Sequence, residues 1–418
     1  MPVALGVLSL VLAWPACGGP RRSPLDEDAR RYVRLAVALG ERDPDSLDFY
    51  AGRADAVAEV RRDPPALKTI RAEARLLTAR LAQEPFDPAA APRVRALSAD
   101  LAAMIARVDL LTGTRLRFDQ ETAAFFGVAP VPIDPRRLAD TRARIAQLVG
   151  SDGRLVDRYT AFAARFTVPP DRLELVMRAA LDECRRRTMA NMALPPGDQV
   201  SLEFVRDKPW SAFSRYLGDA KSIVQINTDF LLTADQALQL ACHEGYPGHH
   251  VRNSLTAPHR DPAGLPPERS IQLMFTPEAL ASEASAMLAV DAAFSSDERV
   301  RFVRDRLFPL AGLDPGAAER HVEVERLVGD LQILQADIAR RYLDGELEFA
   351  RAVTVLEEQA LVPHAEALVK YINEYRSYVT TYTIGSGILA AQIAACAGPD
   401  PSDDIRWHCF KTIALPAR

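Results

Sequence analysis

Three long stretches, "LKTIRAEARLLTARLA" (67–82), "RVRALSADLAAMIARVDLLTG" (93–113) and "DRLELVMRAALDECRRRTMANM" (171–192), carry Ala, Leu, Arg and Glu at helical spacing. Apolar residues recurring every three to four positions give each segment one face to bury, which is the pattern of an amphipathic helix. Pro-rich breaks such as "GVAPVPIDPRR" and "TVPPD" separate such segments, and no repeat of fixed period joins them. The exception is "SIVQINTDF", residues 222–230, which is short, alternating and rich in β-branched residues, and reads as a strand. It leads to Thr233 and Gln236, whose spacing makes a capping box at the start of another helix. The expected fold class is therefore mostly α with a small β-sheet (α+β).

Composition removes several function classes. The 418 residues, 48% hydrophobic and 26% charged, suffice for a large buried core. A formal net charge of -5 and the absence of a Lys/Arg block argue against a general nucleic-acid binder, which needs clustered positive charge. At the N-terminus, residues 3–16 form an apolar run ending in "WPACGG", too short to span a bilayer and of signal-sequence length. A signal over 1–17 is expected, with Cys17 placed for lipid attachment and hence for a periplasmic or membrane-anchored location, the alternative being a buried N-terminal helix and a cytoplasmic protein. The remainder divides into an N-terminal helical region, 25–190, and a second region, 191–418. The cysteines Cys184, Cys242, Cys396 and Cys409 match no metal-binding spacing. In an exported protein Cys396 and Cys409 are candidates to pair; Cys242 reads as a small buried residue.

The chemistry concentrates in "HEGYPGHH", residues 243–250, which holds three of the seven histidines. Two histidines four apart on a helix share a face and can bind one zinc ion, with the glutamate after the first acting on water. Here the second histidine comes late. In an unbroken helix His250 would lie about 10 Å beyond His243 on the same face. Pro247 and Gly248 supply the needed distortion, because proline removes a backbone hydrogen bond and glycine tolerates unusual dihedrals. Either His249 or His250 then closes on the ion with His243, and His249 needs the smaller bulge. Glu244 is placed to take a proton from activated water. For a third ligand, "TPEALASEASAMLAVDAAF" (276–294) offers Glu278 and Glu283. Glu278 falls in the first turn after the Thr276 cap and Pro277, where an acid is favoured in any case. Glu283 is the one charged residue between Glu278 and Asp291, and a carboxylate on so apolar a helix calls for a cationic partner.

These residues carry a resemblance. "ACHEGYPGHH", preceded by "KPWSAFSRYLGDAKSIVQINTDF" and followed by "FTPEALASEASAMLAVDAAF" and "YRSYVTTYTIG", resembles the bacterial family known as domain of unknown function 885, in the gluzincin-like metallopeptidase clan, and its short lipoprotein-like members most. The likeness covers about residues 190–418. It implies a zincin-like metallopeptidase core in the C-terminal half with N-terminal helices packed on it, and a Zn2+ site drawn from His243, His249, His250 and Glu283, with Glu244 as general base. It implies less about substrate. The chain departs from the family pattern at Ala284, where a glycine is usual, and at Met287 and Leu288, where an aromatic residue is common.

Downstream, Arg376, Tyr378 and Tyr382 fall within seven residues of "YRSYVTTYTIG". A tyrosine hydroxyl can donate to an oxyanion, and an arginine can clasp a substrate carboxylate. Tyr382, which begins the "YTIG" that the resemblance highlights, is the preferred oxyanion donor. Trp210 reads as structural, and His259, His321, His364 and His408 receive no role. The expected function is a zinc-dependent hydrolase cleaving a peptide or small amide. The alternatives are a metal-stabilised binding lipoprotein or a biosynthetic tailoring enzyme on the same scaffold. An iron-dependent oxygenase fits the ligand count but leaves Glu244 without a purpose.

Overall fold

The computed structural model describes residues 23–83, 87–257 and 265–416. The expected signal over 1–17, Cys17 and His259 lie outside the described residues. The three helical stretches fold as Leu67–Gln83, Ala91–Leu111 and Leu173–Asn191, and helices dominate the other described residues. Two small sheets complete an α+β architecture. One pairs β1 (Leu47–Tyr50) with β5 (Ile271–Leu273), antiparallel. The other has β2 (Gln199–Val205), β3 (Ala212–Gly218) and β4 (Lys221–Asn227) in the order β2-β4-β3, with β2 parallel and β3 antiparallel to β4.

The strand read over 222–230 is β4, and it lies at the centre of its sheet rather than at an edge. It ends at Asn227, whose side-chain Nδ2 donates to the carbonyls of Lys208 and Trp210, both at 3.0 Å. The capping box forms: Gln236 N–H donates to Thr233 Oγ1 at 3.3 Å, and Thr233 N–H to Gln236 Oε1 at 3.1 Å. Helix Pro277–Met287 starts with Thr276 Oγ1 accepting from Ala279 N–H.

Position 190 does not divide the packing. The largest core cluster joins Ile145, Val176 and Cys184 to Val224 and Ile226 of β4 and to helices as far as Leu415. A second core, built from helices Pro24–Arg42, Leu67–Gln83 and Ala91–Leu111, closes over Ile271 and Leu273 of β5. The β1–β5 pairing ties these N-terminal helices to the segment that leads into the Glu283 helix. A piece of the N-terminal half thereby reaches the site described next.

Candidate metal centre

The segment that reads as one stretched helix folds in pieces. An α-helix, Ala234–Leu240, passes into a π-helical turn, Ala241–Gly245, and after a break a new helix runs over His249–Thr256. The π turn carries an extra residue, and Pro247, after a cis Tyr246–Pro247 peptide, cannot continue it. Gly248 folds the chain back against the π turn. Its N–H donates to Cys242 O at 3.0 Å, and a Cβ at this position would lie 1.9 Å from His243 O. Only glycine fits so close to another backbone.

This path brings His249 to His243, with ring centroids 4.7 Å apart. Glu283 comes up from the facing helix, its Oε2 3.4 Å from His243 Nε2 and 3.3 Å from His249 Nε2. Small neighbours on that helix, Ser282, Ala284 and Ala286, are themselves buried and permit the close approach. Ser282 Oγ sits 3.2 Å from His249 Nδ1, which turns Nε2 toward Glu283. The Tyr378 hydroxyl donates to Glu283 Oε1 at 2.9 Å, and Glu283 Oε2 is buried with no hydrogen-bond partner.

That orphaned oxygen tests the fit of a metal. Three donors at about 2.0–2.1 Å from a tetrahedral ion stand about 3.3–3.4 Å apart, which is the observed spacing of Glu283 Oε2 from both imidazole nitrogens. Glu244 is also near: ligand atoms of His243, Glu244 and His249 lie within 4.8 Å of one another. Its nearest imidazole contact is 3.9 Å, to His243, so Glu283 has the geometry of a ligand and Glu244 that of a neighbour.

Burial works against ionisation of Glu283, but the His249 and His243 imidazoles outweigh it and hold the carboxyl far below the usual range. Glu244 is raised, because burial exceeds the attraction of His243 and His249. A raised carboxylate is a stronger proton acceptor, and the Ser214 backbone N–H steadies its charged form.

The other candidates divide. His250 is not among the converging groups: Nδ1 meets Ser222 Oγ and Nε2 meets Asp198 Oδ1, both at 2.8 Å, in a fully buried position. Asp198 also accepts from Tyr246 and Arg185, so His250 belongs to a network that holds the motif against β4. Arg376 points away as well. It pairs with the buried Glu121 at 2.7 Å, which also accepts from Ser377, and this locks the tyrosine segment to helix Phe118–Phe126. Glu278 pairs with Arg252 at 2.7 Å. Tyr378 is buried behind Glu283, whereas Tyr382 faces the open cavity.

The cavity over the centre has a volume of about 190 Å³. Besides His243, Glu244, His249, Glu283 and Tyr382, it is lined by Tyr371 and Tyr375, by Trp210, Phe213 and Ser214 from the β3 region, and by Asp45 and Asp48 from the N-terminal half. Trp210 therefore lines the cleft, contrary to its structural reading. Tyr371 and Tyr375 were legible, since with Tyr378 and Tyr382 they follow a spacing of four, three and four, one face of a helix. The chain breaks at Arg376, whose φ is 54°, and Tyr382 turns back so that its hydroxyl lies 3.3 Å from that of Tyr371. Asp45 and Asp48 had no sequence signal, because only the β1–β5 pairing brings them in. Met287 and Leu288 line a separate cavity rather than this one.

Two disulfides flank the region. Cys396–Cys409 is the pair considered from sequence; Cys184–Cys242, unforeseen, bonds helix Leu173–Asn191 to the residue before His243. No family model and no curated protein matches the chain. Among solved structures it is similar to a protein from Colwellia psychrerythraea described as a candidate lipoprotein, at 15% identity and TM-score 0.49 over 84% of this chain and 67% of that one. It is also similar to an M32 carboxypeptidase from Deinococcus radiodurans R1, at 14% identity and TM-score 0.49 over 93% and 89%. A candidate lipoprotein of unknown function from Shewanella oneidensis aligns at 13% identity and TM-score 0.44 over 93% and 81%.

Proposed function

We propose that this chain is a zinc-dependent hydrolase of the domain of unknown function 885 family that cleaves a peptide or related amide bond. The observation that carries this reading is the buried, unpartnered Glu283 Oε2 held 3.3–3.4 Å from two imidazole nitrogens, with Glu244 beside them. His243, His249 and Glu283 hold the ion, and Tyr378 orients Glu283 through Oε1. When bound, zinc supplies Lewis acidity, polarising a carbonyl and lowering the pKa of water to about 7.

The chain's own groups do the rest. Glu244, raised and 5% exposed, takes the proton from attacking water and delivers it to the leaving nitrogen. Tyr382, facing the cavity with Tyr371 against its hydroxyl, donates to the oxyanion. β3 is the edge of its sheet, and Ala212, Phe213 and Ser214 line the cavity, so an extended substrate can pair along it. The disulfides support export, since such bonds persist in oxidising compartments.

The test is Glu244→Gln in zinc-loaded protein. Peptide hydrolysis should fall at least about 1,000-fold with zinc content unchanged. Equal activity in the variant, or peptide-inert wild-type protein with one zinc bound, would reject the reading.

A further inference from the structure

The cavity has an unusual charge balance. Four carboxylates line it, Asp45, Asp48, Glu244 and Glu283, and no Lys or Arg does. A divalent cation on the His243–His249–Glu283 centre would offset two carboxylate charges, and no Lys or Arg among the described residues lines the cavity to offset the others. Arg376, the residue suited by sequence to clasp a substrate carboxylate, is spent on Glu121. Among the described residues lining the cavity, nothing can hold a terminal carboxylate through a charged pair.

Asp45 and Asp48 are placed by structure that the metal centre does not need. Asp45 lies in the 3-10 turn Pro44–Ser46 and Asp48 in β1, where Gln272 Nε2 of β5 donates to Asp48 Oδ2 at 2.7 Å and fixes the side chain. An independent observation points to a ligand as well. Asn253, 2% exposed and lining the same cavity, has an Oδ1 with no hydrogen-bond partner, and so does Ser214 at its Oγ, 4% exposed. A buried acceptor without a donor is costly unless a donor arrives. The wall therefore carries unsatisfied polar atoms, and among the described residues it lacks the cation that an anionic group would need.

We propose that Asp45 and Asp48, which line the cavity with Asn253, form an amine subsite that takes the ammonium group of the substrate. This rests on the hydrolase reading and narrows its substrate class to short peptides or amides carrying a cationic amine close to the scissile bond. Size agrees with it: about 190 Å³ equals the liquid volume of roughly six waters, which is room for a residue or two of the substrate. A free amino terminus supplies such an ammonium, and a lysine side chain offers the same chemistry.

The experiment uses full-length, zinc-loaded Glu244→Gln protein, so that binding is read apart from turnover. Calorimetry compares trialanine amide with a free amino terminus, its N-acetyl counterpart, and N-acetyl-lysyl-alanine amide. The free-amine peptide should bind at least tenfold more tightly than the N-acetyl form, and the preference should vanish when Asp45→Asn and Asp48→Asn are added. Tight binding of the lysyl probe alone upholds the subsite and assigns the ammonium to a side chain. Equal binding of all three peptides, or binding of none of the three, overturns the proposal. Wild-type hydrolysis separates the two ideas. Equal cleavage of all three peptides rejects the subsite and keeps the hydrolase, whereas amine-selective binding without cleavage rejects the hydrolase and keeps the subsite.

Discussion

Replacing Gly248 by alanine should separate His243 from His249. The added Cβ would lie 1.9 Å from His243 O, 2.5 Å from Cys242 O and 2.6 Å from His243 C, all backbone atoms that no rotamer change can move. Restoring ordinary contact requires a displacement of about 1.5 Å, which also breaks the 3.0 Å Gly248 N–H to Cys242 O bond. The 3.3 Å separation of His249 Nε2 from Glu283 Oε2 would open toward about 4.8 Å, beyond the roughly 4.2 Å that two bonds of about 2.1 Å can span. One ligand is lost, and zinc affinity should fall at least about 100-fold, or about 2.8 kcal/mol. Gly245→Ala is the control from the same motif. Its Cβ meets only Leu181 Cδ1 at 2.5 Å, the far end of a flexible side chain that can turn aside. Competition titration of zinc against a chelator reads both variants, with circular dichroism confirming that each is folded. Wild-type affinity in folded Gly248→Ala, or an equal loss in Gly245→Ala, would refute the reasoning.

Tyr378→Phe removes the donor to Glu283 Oε1, so zinc affinity should drop about 10-fold with the fold retained; an unchanged chelator titration would show that the hydrogen bond does not orient the ligand. The Cys184–Cys242 bond closes a separation of 58 residues, for which loop-closure entropy amounts to about 4 kcal/mol. Non-reduced peptide mapping should show this link, and its double alanine variant should unfold at markedly lower urea; free thiols at both positions would contradict the account. Glu325 and His321 form a buried pair outside the site, with carboxyl and imidazole atoms lacking partners. Burial, with Asp235 adding, pushes Glu325 up to about 8 from 4.5, and burial brings His321 down to about 4 from 6.5. The raised carboxyl makes stability full below pH 4.5 and lost as pH rises to 8, whereas the lowered imidazole makes it lost as pH falls from 6.5 to 4. The two oppose each other between 4.5 and 6.5, so Glu325 acts alone from 6.5 to 8, at up to about 1.4 kcal/mol per pH unit. Denaturant melts of Glu325→Gln should decline less steeply over that upper window than those of wild type, and parallel declines would exclude this titration.

Much of this was legible in local sequence, and the reasons are local too. Helix periodicity, the Thr233–Gln236 box and the apolar setting of Glu283 each depend on residues a few positions apart, and each appears where its pattern says. The stretched motif was legible because Pro247 and Gly248 have few conformational uses, but the choice between His249 and His250 was not. That choice depends on Ser222, Asp198 and Ser282, which reach the motif from three other segments. Arg376 misled for a similar reason: its partner Glu121 lies 255 positions away. Asp45, Asp48 and Cys184 enter the region only through long-range strand pairing and helix packing, for which a single sequence carries no local signal.

The central claim is that His243, His249 and Glu283 converge on one zinc ion. Anomalous diffraction at the zinc edge, from crystals of zinc-loaded wild-type protein, tests it most directly. The account predicts a single strong peak among His243 Nε2, His249 Nε2 and Glu283 Oε2, with Glu244 beside it and His250 still bonded to Asp198. A peak coordinated by His250, or none at this position, would contradict it.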